Sequence, residues 1–238
     1  MRWRIDTVKR DRYQHGAVQA PCSGPSPDPS PMAARDNNLR HARHAEAPRL
    51  AAAALIVIDL QRAFTDPTLR TYVRGVSRAM PHTVRLVAAF RAAGRPVVFT
   101  RHAHLHRPCA GGMGSWWSSF VMEGTAEALL DPRLAPRFDE PVMRKESYSA
   151  FRGTRLRSWL VLHQVDTVVL CGTMTHICVD TTARDAFMRG YDVAVARQAC
   201  ASKHRRLHDG ALESLAHACA RVCDTDMLVG SMAAAGRA

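Results

Sequence analysis

Val168–Ala186, VVLCGTMTHICVDTTARDA, carries the clearest strand-to-helix signal in the chain. It begins as an apolar run rich in β-branched residues, breaks at Gly172, and resumes with helical spacing at Ile177, Thr181, Thr182, Asp185 and Ala186. That pattern predicts a buried strand feeding a helix. Cys178 stands at the mouth of the helix. A thiol there feels the positive end of the helix dipole and the unpaired N–H groups of the first turn, which lower a cysteine pKa and stabilise an oxyanion made on its substrate. The position suits a nucleophile, although a small buried hydrophobe would read the same on this stretch alone.

Working outward, Arg49 opens the run LAAAALIVIDLQRAF, a continuous apolar segment ending in an acid. It reads as a central parallel strand with Asp59 at its C-terminal tip. Ligands of open α/β sheets bind outside the carboxyl ends of the strands, so Asp59 is a site candidate, with capping of the following turn as the alternative. Asp66-Pro67 marks a turn, and Pro81 is read as opening a helix over 82–93 that stops at Gly94. A strand over 96–100 follows. It leads into RHAHLHRPCAGGMGSWW, in which Trp116 and Trp117 beside flexible glycines suit a lid over a small-ligand pocket, or ordinary packing. His102, His104 and His106 would share one side of an extended chain. A zinc site with Cys109 is therefore weighed, but no carboxylate or Cys pair with recognised ligand spacing completes it.

Further on, EPVMRKESYSAF predicts a short strand over 142–144 with Lys145 at its tip, a solvated charge unless its neighbours make it more. A helix over 155–163, a strand over 167–171, the nucleophile turn with a helix to about Arg189, a strand over 192–196, a helix over 208–218 and a strand over 221–223 complete the count. Six strands alternating with helices imply a three-layer α-β-α fold, a six-stranded, mostly parallel, doubly wound sheet. Three strand tips then carry Asp59, Lys145 and Cys178.

Of the 238 residues, 47% are hydrophobic, enough for one sizeable core. A single domain is expected over 49–230, with a frayed C-terminus at 231–238. Residues 1–48 hold PCSGPSPDPSP and scattered His and Arg without an apolar period, so they are read as a disordered Pro/Arg-rich extension. Met32 offers a second candidate start. Seven cysteines without CxxC pairs argue against a disulfide framework, which together with the lack of a hydrophobic signal segment points to reduced thiols in a cytoplasm. No apolar run reaches the roughly 20 residues that span a bilayer, so no membrane partner is expected. The net charge of +12 invites a nucleic-acid partner. Nine basic and five acidic residues fall within the first 50, the remaining charge is spread thinly, and no nucleic-acid motif accompanies it, so that reading is set aside.

An acid, a lysine and a cysteine converging on one crevice make a nucleophilic device: the carboxylate takes the thiol proton, the ammonium steadies both anions, and helix N–H groups hold an oxyanion. At this point ALIVIDLQRAF, VMRKESYSAF and VVLCGTMTHICVDTTARDAFMRGYDVAV resemble the three signature blocks of the isochorismatase-like cysteine hydrolases, over about residues 50 to 229. That family includes nicotinamidases, N-carbamoylsarcosine amidohydrolases, and ureidoacrylate and biuret hydrolases. The resemblance implies a six-stranded parallel sheet, a homodimer or homotetramer, and hydrolysis of small amides or ureides without a cofactor. It further implies Asp59 as base, Lys145 as electrostatic partner and Cys178 as nucleophile. It implies a non-proline cis peptide between Thr173 and Met174, and an oxyanion hole from the N–H groups of Met174 and Cys178. Phe64, Trp117, Tyr148 and His176 become the expected pocket wall. The sequence departs from the family at Thr173, more often Val or Leu, and at His176, where Asn or Asp is common. Thr100-Arg101-His102 stands where nicotinamidases carry a metal-binding Asp-x-His, which argues against nicotinamide and for a metal-free site. Two rivals stay in view, a zinc-assisted hydrolase built on His102–Cys109 and a non-catalytic ligand-binding or assembly protein.

Overall fold

The computed structural model describes residues 48–107 and 112–235. The readings made on residues 1–47, on Cys109 and on 236–238 lie outside these. Six strands form one sheet: β1 (Ala53–Ile58), β2 (Val97–His102), β3 (Val142–Lys145), β4 (Thr167–Thr173), β5 (Asp192–Ala201) and β6 (Arg221–Cys223). Their order is β3-β2-β1-β4-β5-β6 and every pairing is parallel. Every residue of β1 and β4 is buried, as their uninterrupted apolar runs require of strands covered on both faces.

The helices are α1 (Arg62–Thr65), α2 (Val76–Ala92), α3 (Gly112–Trp116), α4 (Leu156–Leu162), α5 (Asp180–Met188), α6 (Arg205–Ala218) and α7 (Thr225–Ala235). The crossover through α2 moves one way from β1 and the crossover through α5 moves the other way from β4. With right-handed connections these helices fall on opposite faces, giving three layers. Accordingly α2 packs with α7, and α5 with α6.

Several boundaries differ from the sequence reading. Helix α2 starts at Val76, not after Pro81, because Val76, Ala79 and Met80 are buried in the core, and their packing outweighs the single hydrogen bond that Pro81 cannot donate. Strand β5 continues to Ala201 through an irregularity opposite Leu170–Gly172. The chain after β4 enters a π-type turn, Thr175–Val179, before α5 begins. Residues 231–235, expected to fray, belong to α7, which buries Leu228 and Met232 completely. This helix was not expected from the sequence; Gly230, after which fraying was expected, lies on its exposed face, where an added Cβ would meet nothing within 4 Å.

Gly172 decides how the sheet meets its site. It has φ +122°, and a Cβ there would stand 2.1 Å from the carbonyl oxygen of Ile58 and 2.7 Å from its nitrogen. Only glycine lets β4 lie this close to the end of β1. The two strand tips either side of the point where the strand order reverses are thereby brought together, the place where ligands of such sheets bind.

Candidate active site

Asp59 leaves the end of β1 in the left-handed region, φ 51°, which turns its side chain across the strand tips. The neighbouring strand β2 supplies Thr100, two residues before its end. Its hydroxyl donates to Asp59 Oδ1 at 2.7 Å, and its carbonyl accepts from the Asp59 N–H at 3.1 Å. Lys145 ends β3, the edge strand, with β2 between it and β1. Its four-carbon stem spans that gap. Nζ comes to rest 2.7 Å from Asp59 Oδ2, 3.3 Å from Cys178 Sγ and 2.9 Å from the carbonyl of Ser147, to which it donates. Cys178 projects from the π-type turn. All three triad candidates are buried: Asp59 is 0% exposed, Lys145 1% and Cys178 8%. The contact of Asp59 Oδ2 with Lys145 is close but off the axis of a directed hydrogen bond, so it is chiefly ionic.

Protonation follows from this dry setting. Burial works against the Lys145 charge, but Asp59 and Cys178 beside it prevail and hold its pKa above the ordinary lysine value. Burial pushes the Cys178 thiol up to about 12; Lys145 pulls the other way, while the nearby charge of Asp59 favours the neutral form. This corrects the expectation of a lowered thiol pKa. The helix-terminus argument presumes solvent access, and here desolvation and a neighbouring carboxylate outweigh it. At rest the cluster is an ion pair with a neutral thiol.

The other expected residues divide. The indole N–H of Trp117 donates to the Tyr148 hydroxyl at 2.7 Å, tying the segment after α3 to the loop that follows Lys145. His176, two residues before the thiol, pairs Nδ1 with Ser202 Oγ at 2.8 Å, and burial lowers its pKa. Phe64 packs between the main core and a small apolar group of Ala63, Ala103, Val121 and Ala128. The Thr173–Met174 peptide is cis.

The alternate histidines do not share a face. The strand ends at His102, the chain then turns, and His106 is exposed. His102 and His104 meet through their Nε2 atoms at 3.1 Å. Burial and Lys145 drive His102 down to about 4, and burial lowers His104. Among the described residues, no group of three or more His, Cys, Asp or Glu could hold a metal ion. Buried Gln61 braces His102 through both backbone groups, accepting from its N–H at 2.7 Å and donating to its carbonyl at 2.9 Å. Sequence reasoning missed Thr100 and Gln61. The signal for Thr100 was its place near the end of a strand next to that of Asp59.

A parallel sheet holding an acid, a lysine and a thiol in contact at its switch point defines an α/β enzyme of the cysteine-hydrolase type. The isochorismatase domain model matches residues 53–227, and the chain belongs to the isochorismatase family of hydrolases. Nicotinamidase 3 of Arabidopsis thaliana is 33% identical over 186 residues, covering 76% of this chain and 88% of that protein. N-carbamoylsarcosine amidase of an Arthrobacter species is 33% identical over 152 residues, 61% of this chain and 58% of that one. The crystal structure of a cysteine hydrolase from Pseudomonas syringae pv. phaseolicola superposes with a TM-score of 0.74 at 26% identity, covering 79% of this chain and 95% of that one.

Proposed function

We propose that the protein hydrolyses a carbon–nitrogen bond of a small amide or ureide through a thioester on Cys178. One observation carries this reading: the Lys145 ammonium touches both Asp59 Oδ2, at 2.7 Å, and Cys178 Sγ, at 3.3 Å, inside a site that excludes water. Burial and the neighbouring carboxylate hold the thiol well above neutral pH, so a freely formed thiolate is costly. Proton transfer to an adjacent carboxylate during attack lowers that cost, and Asp59 is the adjacent carboxylate.

In this cycle Asp59 accepts the thiol proton as sulfur attacks the carbonyl carbon. The N–H groups of Met174 and Cys178 hold the oxyanion. Collapse of the tetrahedral intermediate breaks the C–N bond, and Asp59 returns the proton to the departing nitrogen. Asp59 then takes a proton from water, which attacks the thioester, and the proton passes to the sulfur as it leaves. Lys145 stays charged throughout, as its raised pKa requires. Trp117, Tyr148, His176 and Phe64 form the wall against which the substrate sits. The substrate class spans small primary amides and ureides, and a relative named nicotinamidase keeps nicotinamide within it despite the missing Asp-x-His. The enzyme works as a homodimer or homotetramer in the cytoplasm and takes neither metal nor cofactor; among the described residues no helix is long and apolar enough to cross a membrane.

The test is an ammonia-release screen over small amides and ureides, with wild type and Cys178→Ser side by side. The serine variant should fold normally and lose at least about a hundredfold in turnover, since a hydroxyl is a far poorer nucleophile in a site built for sulfur. Retention of more than about a tenth of wild-type turnover rules out the covalent route. Zinc-restored activity after chelation would favour the metal-assisted rival instead.

A further inference from the structure

We infer that Thr100 is a positioning residue that selects which oxygen of Asp59 acts as the base. The inference rests on the proposed role of Asp59 as proton acceptor and goes beyond it, since it gives Thr100 a part in the site that the triad does not include. Thr100 is fully buried on β2. Its hydroxyl has two neighbours on Asp59: the backbone N–H at 3.3 Å and the carboxylate Oδ1 at 2.7 Å. The backbone nitrogen can only donate, so the hydroxyl oxygen accepts there, and its single proton goes to Oδ1. The hydroxyl rotor is therefore fixed by its surroundings.

Two consequences follow for the carboxylate. Oδ1 is committed to a neutral, buried donor, the Thr100 hydroxyl. Oδ2 accepts no directed hydrogen bond and lies against the Lys145 ammonium, itself in contact with Cys178 Sγ. The oxygen without a hydrogen-bond donor is thus the one that shares the Lys145 ammonium with the thiol. The same hydroxyl, by holding the backbone N–H and the carboxylate of one residue together, closes a ring that keeps Asp59 in its left-handed conformation. Without it, Oδ1 would be left unpaired in a dry site. The carboxylate would then rotate to share Lys145 between both oxygens, so that neither is singled out as the base.

The test follows carbamidomethylation of Cys178 by iodoacetamide at neutral pH, read by mass spectrometry, and so needs no substrate. It compares wild type, Thr100→Val, Thr100→Ser, Asp59→Asn and the Thr100→Val, Asp59→Asn double variant. Valine keeps the shape of threonine and removes the hydroxyl; it should slow alkylation about tenfold, while serine, which retains the donor, should restore the rate to within about threefold. On the Asp59→Asn background the valine change should add nothing, because its whole effect passes through the carboxylate. A rate for Thr100→Val equal to wild type, with Asp59→Asn slowed, overturns the role of Thr100 and leaves Asp59 as base. An Asp59→Asn rate equal to or above wild type overturns the proton-acceptor reading and this inference with it, since the neighbouring charge that disfavours the thiolate is lost in that variant. A loss in Thr100→Val that persists undiminished on the Asp59→Asn background also overturns it, since a merely structural defect behaves that way. If the valine variant does not fold, Thr100→Ala removes the same hydroxyl without any possible clash and is held to the same outcomes.

Discussion

Replacing Lys145 by methionine removes the ammonium and keeps most of the stem. The side chains of Lys145 and Asp59 are each 0% exposed, and Nζ lies 2.7 Å from Oδ2. After the change Asp59 keeps only the Thr100 hydroxyl and has no compensating charge. Breaking a buried pair by deleting one partner costs about 3–5 kcal/mol, because the other charge stays desolvated. For a domain of this size that corresponds to a fall in Tm of about 6–20 °C. Lys145→Met should therefore damage stability as well as rate. Adding Asp59→Asn removes the stranded charge and leaves an amide oxygen that still accepts from Thr100. The double variant should recover most of the loss and lie within about 1–2 kcal/mol of wild type, since buried pairs contribute little net stability. Urea unfolding followed by tryptophan fluorescence and circular dichroism gives the four free energies. If Lys145→Met costs less than about 1 kcal/mol, or if Asp59→Asn adds to the loss, the pair is not the dry, mutually dependent ion pair described above.

Three further expectations can be checked alongside. Gly172→Ala should yield insoluble protein or lower Tm by more than about 10 °C, because its Cβ would stand 2.1 Å from the Ile58 carbonyl oxygen; a soluble variant melting near wild type would contradict the close approach. Acid should destabilise the fold. His102 is held down to about 4 against an ordinary 6.5, so between those values the unfolded chain binds the proton and the folded one does not; stability is full above about 6.5 and falls by about 3 kcal/mol as pH drops through the window. Urea midpoints at about pH 7.5 and about pH 4.5 measure this, and His102→Gln should flatten the difference. Tyr148→Phe removes the acceptor for the Trp117 indole and should raise KM about fivefold while leaving kcat within about twofold; an unchanged KM would show that the tie does not shape the pocket.

The sequence by itself determined what depends on neighbours along the chain. The β-branched apolar runs at 53–58 and 167–171 mark strands buried on both faces, Gly94 and Gly190 mark helix ends in left-handed turns, and the chain at or just past the ends of three of the strands carries Asp59, Lys145 and Cys178. Those signals are local, since backbone conformation and side-chain alternation repeat within a few residues. Only the tertiary structure decided what depends on residues far apart in the chain. Strand order is one such matter: it put Lys145 on an edge strand with β2 between it and Asp59, so that Thr100 near the end of β2 became the partner of the carboxylate. Desolvation is another, because burial of Cys178 is contributed by the whole fold, and it reversed the direction in which a helix terminus alone would move the thiol. The last helix is a third. Thr225–Ala235 carries a central glycine and little amphipathic contrast, and it is fixed by Leu228 and Met232 packing against a layer laid down much earlier in the chain, a contact that no window of neighbouring residues contains.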